Sequence, residues 1–79
     1  MILIATFYTH AAALVSWRAL SKAGIPARMM PVPRALSSSC GTCVRYSSET
    51  LCEEFLDRDL EQIAEADEQN HYQVLKSFT

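Results

Sequence analysis

The short length of the chain constrains its fold more than any motif within it does. A chain of 79 residues has room for one hydrophobic core, so we predict a single domain over residues 1–79. A domain of this size buries only about 60% of the surface that its unfolded chain exposes. It can hold one sheet with one or two helices, and a deep enzyme cleft is not expected.

The start of the chain predicts a strand followed by a helix. Ile2–Phe7 is an apolar run rich in β-forming residues, which is typical of a strand buried on both faces. Thr9 is a suitable N-cap for a helix over residues 11–23, whose buried stripe includes Trp17. Gly24 ends this helix, because glycine readily adopts the left-handed conformation found after a helix C-terminus.

Two further strands and a loop are predicted next. Residues 28–32 favour an edge strand, because Pro31 cannot donate a hydrogen bond to a neighbouring strand. Residues 33–41 are rich in Pro, Ser and Gly and predict a connecting loop. Thr42–Ser47 alternates between outward and inward side chains, as a third strand does.

The remainder of the chain predicts a long helix and a fourth strand. The apolar side chains of residues 49–67 follow the helical period, and Ser48 is a plausible N-cap. Residues 71–78 alternate as a strand. The resulting order βαββαβ predicts an α+β fold of the ferredoxin-like type, a four-stranded antiparallel sheet with two helices on one face.

This topology makes a prediction about position. The loop over residues 33–41, the start of the first helix and the start of the last strand all lie at one end of the sheet. His10, Cys40 and His71 are therefore expected on a single rim of the molecule.

Charge is divided sharply along the chain. Residues 1–48 contain five Arg or Lys and no acid, whereas residues 49–79 contain nine Asp or Glu and two basic residues. The five basic residues are dispersed and form no stripe that could follow phosphates, so nucleic-acid binding is not expected. The apolar start lacks a positively charged lead and is too short for a signal peptide or a membrane span. We therefore expect a cytoplasmic protein that does not engage a membrane.

Cys40 and Cys43 form a C-x-x-C motif, which serves either as a reversible dithiol or as a pair of metal ligands. A structural zinc site needs four ligands, and only Cys52, His10 and His71 remain to complete it. Cys52 falls on the inward stripe of the predicted second helix, which is typical of a small buried apolar residue. A metal site would therefore have too few ligands. The dithiol interpretation is weakened too, because the thioredoxin motif begins a helix, whereas this motif leads into a strand.

Cys40 has the sequence surroundings of a reactive nucleophile. Arg34 and Arg45 flank it, and no acid lies within eight residues on either side. Positive charge and backbone N–H groups stabilise a thiolate relative to a thiol. Alternatively, the loop is simply solvated and its arginine is a surface charge. Further groups that could hold an anion or a carried chalcogen are those of His10, Ser38, Ser39 and Gly41.

Several segments carry a family resemblance. They are Thr9-His10, Ala23-Gly24-Ile25, the segment from Pro31 to Arg34, and Ser37-Ser-Ser-Cys40-Gly41. In these the sequence resembles the putative selenium/sulfur carrier protein-like family of small bacterial proteins, over nearly the whole chain. The resemblance implies a carrier of activated selenium or sulfur, with Cys40 as the attachment point and Pro33, Arg34 and Gly41 as matching motif positions. Cys43 stands where the family more often has a small apolar residue, so this chain has a potential resolving thiol.

The leading hypothesis is a transfer protein more than an enzyme. Cys40 would attack a donor persulfide or a reduced selenium species, carry the chalcogen covalently and surrender it to an acceptor protein. Arg34 and Arg45 would stabilise the anionic forms, and Cys43 could release the cargo by forming a disulfide. No cofactor is implied, and the partners are selenium or sulfur donor and acceptor proteins. Two alternatives stay open: a metal-binding or dithiol module using Cys40 and Cys43, and a regulatory or interaction domain in which the thiols are incidental.

Overall fold

The computed structural model describes residues 1–78, and Thr79, the last residue of the predicted domain, lies outside them. In the described residues, five strands form one antiparallel sheet in the order β2-β3-β1-β4-β5. The elements are β1 (Ile2–Phe7), α1 (His10–Lys22), β2 (Ala27–Pro31), β3 (Thr42–Ser47), a short 3-10 turn (Glu53–Phe55), β4 (Leu60–Ala66) and β5 (Tyr72–Ser77). The predicted α+β class and antiparallel sheet are confirmed, whereas the numbers of strands and helices differ from the prediction.

The central strand β1 is buried on both faces, as predicted. Every residue from Leu3 to Phe7 is fully buried. Successive side chains of a strand point to opposite faces, so two separate layers must cover β1. Leu3, Ala5 and Phe7 pack with buried residues of α1, while Ile4 packs with Leu36 from the loop between β2 and β3. We call these two sides of the sheet the helix face and the loop face.

The helix α1 begins and ends where local chemistry predicts. The Thr9 hydroxyl accepts a hydrogen bond from the Ala12 N–H at 3.1 Å, which satisfies one of the free donors of the first turn. Gly24 has φ +81°, the left-handed conformation expected after a helix C-terminus. Trp17 is only partly buried, because its indole N–H reaches the edge of the sheet and donates to the Ala27 carbonyl at 3.1 Å.

The predicted second helix over residues 49–67 is wrong. Residues 60–66 instead form β4, which pairs with the free edge of β1. Leu60 and Ile63 both face the helix side because a bulge inserts Glu61 between the pairs Phe7↔Leu60 and Thr6↔Gln62. Their spacing of three residues therefore comes from an irregular strand, although it imitates one turn of a helix.

The crossover between β3 and β4 keeps its predicted direction without its predicted helix. Both strands run antiparallel to β1, so they are parallel to each other, and residues 48–59 span the length of the sheet between them. Two backbone-directed bonds hold this segment. The Ser16 hydroxyl of α1 accepts from the Asp57 N–H at 2.8 Å, and the Tyr46 hydroxyl donates to the Leu51 carbonyl at 2.6 Å.

The predicted last strand exists as β5, but it lies on the outer edge of β4 and not beside β1. The turn that joins β4 to β5 lies at the end of the sheet where β1 begins, because Ala66 pairs with Ile2. Among residues 1–78, no helix has the length and apolar character that crossing a membrane requires.

Candidate functional site

The candidate site is the loop over residues 32–41, which joins β2 to β3 and which we call the rim loop. A backbone hydrogen bond from the Val32 N–H to the Gly41 carbonyl at 3.1 Å closes its base. Leu36, only 8% exposed, packs against Ile4, Cys43 and Ala64 on the loop face. The rim loop is therefore a packed part of the core layer, which argues against the purely solvated loop that its composition allows.

Cys40 lies near the end of the rim loop, and its side chain is half-buried. Its thiol donates to the Thr42 carbonyl at 3.4 Å. The His10 ring, at the start of α1, has Nδ1 3.2 Å from the Thr42 hydroxyl. Thr42 thus contacts both side chains, and the predicted meeting of His10 and Cys40 at one rim is confirmed.

Gly41 follows Cys40 with φ +75°. A side-chain Cβ at this position would meet no atom within 4 Å, so space does not require glycine there. The left-handed backbone conformation does, because it strains any residue that carries a Cβ. Gly41 therefore sets the direction in which the chain leaves Cys40 and enters β3.

Cys43 has a different environment from Cys40. It is fully buried on the loop face, and its thiol points to the Pro31 carbonyl at a distance of 3.7 Å. Burial raises the pKa of the Cys43 thiol to about 11, with a further rise from neighbouring Cys40 and an opposing effect of Arg45. At neutral pH Cys43 is a protonated, covered thiol and a poor attacking group.

Cys52 is buried, as predicted, but outside any regular helix. It follows β3 and adopts φ +57°, and its sulfur lies 3.0 Å from the Ser48 hydroxyl. Ser48 in turn bonds the Met1 carbonyl through its N–H, at the opposite end of the sheet from the rim loop. Cys52 therefore takes no part in the candidate site.

Two serines of the rim loop are already engaged by acceptors of the protein. Ser38 donates its hydroxyl to the Phe7 carbonyl at 3.3 Å. Ser39 donates its hydroxyl to Glu61 Oε2 at 2.9 Å and its N–H to Glu61 Oε1 at 3.4 Å. Binding of an anion by these hydroxyls would have to displace the bonds that now hold the loop.

Glu61 is a site residue that sequence reasoning missed. Besides Ser39, it accepts a hydrogen bond from the fully buried Thr6 hydroxyl at 3.1 Å. The rim loop is acid-free along the sequence, yet in space a carboxylate contacts the residue before Cys40. The assignment of residues 49–67 to a helix hid this contact, because it placed Glu61 far from the sheet.

The two predicted arginines lie in different places. Arg34 is exposed in a turn of the rim loop, where the Leu36 N–H bonds the Pro33 carbonyl. Arg45 lies on the loop face of β3, three residues beyond Thr42 and thus about 10 Å further along the sheet. Arg34 shares the loop of Cys40, whereas Arg45 faces a separate region of the surface.

The expectation that His71 lies on the same rim is wrong. His71 is in the turn between β4 and β5, at the opposite end of the sheet, where its ring lies 3.3 Å from the Asp67 carboxylate. Backbone N–H groups of His71 and Gln69 donate to Asp67 and lower the pKa of its carboxyl. Within residues 1–78, no group of three or more His, Cys, Asp or Glu side chains is placed to hold a metal ion.

The three environments predict selective alkylation. A soluble haloacetamide at about pH 8 should modify Cys40 in the folded protein, whereas Cys43 and Cys52 should react only after unfolding. With its pKa raised to about 11, on the order of a thousandth of Cys43 is thiolate at that pH, and the rim loop also covers it. Peptide mapping by mass spectrometry with and without denaturant measures the difference. Equal native labelling of Cys40 and Cys43 would contradict this arrangement.

Comparison with known proteins bears on the site as a whole. The model of a protein family described as "Putative Se/S carrier protein-like" matches residues 3–76. The matched range includes the rim loop, all of α1 and all of β3. No curated protein and no solved structure is detectably similar to the chain.

Proposed function

Because the chain belongs to the putative Se/S carrier protein-like family, we propose that it carries activated selenium or sulfur as a covalent adduct on Cys40. The observation that carries this proposal is the contrast among the three thiols. Cys43 and Cys52 are buried, whereas Cys40 is half-exposed at the rim. Cys40 is thus the thiol that a donor protein can reach without unfolding the carrier.

The transfer is a thiol exchange that needs no oxidant. The Cys40 thiolate attacks the outer sulfur of a donor persulfide, forming a Cys40 persulfide and releasing the donor thiolate. A donor carrying selenium on sulfur reacts in the same way at selenium. An acceptor nucleophile then attacks the outer chalcogen and regenerates the Cys40 thiolate, so both exchanges balance in atoms and electrons.

Several neighbouring groups have roles in this proposal. The thiol must release its hydrogen bond to the Thr42 carbonyl before the sulfur reacts. His10, which contacts the hydroxyl of the same Thr42, is the side chain to which we assign the proton transfer. Arg34 contributes the positive charge that favours the anionic adduct. Arg45 contributes less to the cargo, since it lies further along β3.

The burial of Cys43 argues against the hypothesis that Cys43 releases the cargo by forming a disulfide with Cys40. Attack by Cys43 would require both deprotonation of a thiol whose pKa is about 11 and movement of Leu36. We therefore propose that release goes to an acceptor protein, and that Cys43 is a packing residue of the loop face.

Mass spectrometry of the intact protein after incubation with glutathione persulfide tests the proposal. One added sulfur atom is expected, located at Cys40 and lost after treatment with a thiol acceptor. Cys40→Ser should abolish the adduct, whereas Cys52→Ser, the matched control at the far end of the sheet, should leave it unchanged. An adduct that persists in Cys40→Ser, or none in the wild type, would sink the proposal.

A further inference from the structure

The loop face of the sheet has an unusual charge distribution below the rim loop. Cross-strand partners share a face, so the register places fourteen strand residues on this side. These paired residues include two arginines and no acid: Ile2, Ile4, Thr6, Arg28, Met30, Cys43, Arg45, Ser47, Gln62, Ala64, Ala66, Tyr72, Val74 and Ser77. The bulged residue Glu61 brings a carboxylate to this face at its rim-loop end, where Thr6 and Ser39 bind it. Among the paired strand residues of this face, the positive charges are those of Arg28 and Arg45.

These two arginines lie directly opposite each other. Arg28 of β2 pairs with Arg45 of β3, which places their Cα atoms about 5 Å apart with both side chains on the loop face. In the described part of the chain neither forms an ion pair. Like charges at directly opposed strand positions destabilise a sheet, so an anion bound between the two arginines would relieve this repulsion.

The arginines line an open groove of about 290 Å³. Ile2 and Pro26 supply an apolar wall beside them, and Ser47 adds a hydroxyl at the end of β3. Arg45 is half-buried, so part of its side chain already packs against the protein, whereas Arg28 is exposed. An apolar wall with a few convergent polar groups is the usual composition of a small-molecule site.

We propose that this groove binds an organic oxyanion, a small molecule in which a phosphate or carboxylate group adjoins an apolar part. Two guanidinium groups on adjacent strands can both donate to one oxyanion, and arginine binds phosphate and carboxylate alike. The apolar part lies against Ile2 and Pro26. The inference does not rest on the carrier function. The groove lies toward the Ile2 and Ser47 end of the sheet, away from Cys40, and no rim-loop residue lines it.

Titration with phenyl phosphate, followed by amide chemical shifts, tests the proposal. Saturable shifts are expected at Ile2, Arg28 and Ser47. Phenyl phosphate should bind several-fold more tightly than inorganic phosphate, since only the ester has an apolar part. Benzoate as a parallel probe shows whether the groove prefers a phosphate or a carboxylate, and preference for either fits the proposal.

Matched variants locate the binding site. Arg28→Gln and Arg45→Gln should each weaken phenyl phosphate binding about tenfold, the loss of one charge-assisted pair. Arg18→Gln removes an exposed cation of α1 on the other side of the sheet and should change the affinity less than twofold. If all three variants weaken phenyl phosphate binding equally, the binding depends only on net charge, and the proposed site is wrong. Binding of a polyglutamate peptide, with no saturable shifts from either small probe, would also overturn it.

Discussion

Replacing Leu36 by alanine is expected to lower the free energy of unfolding by about 2–4 kcal/mol, the usual cost of deleting a buried leucine side chain. Leu36 is the rim-loop residue that covers Ile4, Cys43 and Ala64. Its removal leaves a cavity between the loop and the sheet. Chemical denaturation of Leu36→Ala beside the wild type measures the loss.

A second readout connects this loss to the site. Without the Leu36 side chain over it, Cys43 should be alkylated in the native variant faster than in the native wild type, under conditions in which Cys52 does not react. Val15→Ala is the control, because Val15 is 54% exposed on α1 and its truncation should change stability by less than about 0.5 kcal/mol. If Leu36→Ala unfolds like the wild type and Cys43 stays protected, the loop does not pack as described.

The first half of the fold could be predicted because its local signals agree with its tertiary role. The apolar run of β1, the Thr9 cap of α1 and the Gly24 stop each specify one structure, and the sheet uses them unchanged. Pro31 marked β2 correctly as an edge strand. Local preference and global need point the same way in these segments.

The failure over residues 49–67 has a physical cause. Six of the seven residues of β4 are Leu, Glu, Gln or Ala, which are strong helix formers, so propensity and spacing both favoured a helix there. The segment forms a strand instead, because β1 is fully buried and its second edge needs a hydrogen-bonding partner. This requirement comes from the whole sheet and is invisible within the segment.

The candidate site also contains residues that local sequence indicated and residues that only the tertiary structure brings in. Cys40, His10 and Gly41 were predicted as site residues from the motif and from the shared end of the loop and the first helix. Thr42 was overlooked, although its position at the start of a predicted strand opposite the helix start could have indicated it. Glu61 could not be found, because its contact with Ser39 depends on the strand that was taken for a helix.

Replacing Glu61 by alanine is expected to cost about 2 kcal/mol of stability and to loosen the rim loop. The carboxylate accepts three hydrogen bonds, from the Thr6 hydroxyl and from the hydroxyl and N–H of Ser39. Hydrogen bonds to a charged group contribute more than neutral ones, and the buried Thr6 hydroxyl would lose its partner. Faster hydrogen exchange of the Ser39 amide and a lower free energy of unfolding are the two measurements.

A double-mutant cycle shows whether Glu61 acts through Ser39. If the two side chains form one clamp beside Cys40, Glu61→Ala and Ser39→Ala should be non-additive by at least about 0.5 kcal/mol, since the second change has no bond left to break. Glu65→Ala, from the same strand, should be additive with Ser39→Ala, because Glu65 pairs with Leu3 on the helix face, whereas the rim loop covers the loop face. If the effects of the Glu61 and Ser39 substitutions on stability are additive, the carboxylate stabilises the protein through Thr6 and not through Ser39. Cys40 would then be positioned by Gly41 and Thr42, and Glu61 would have no part in the site.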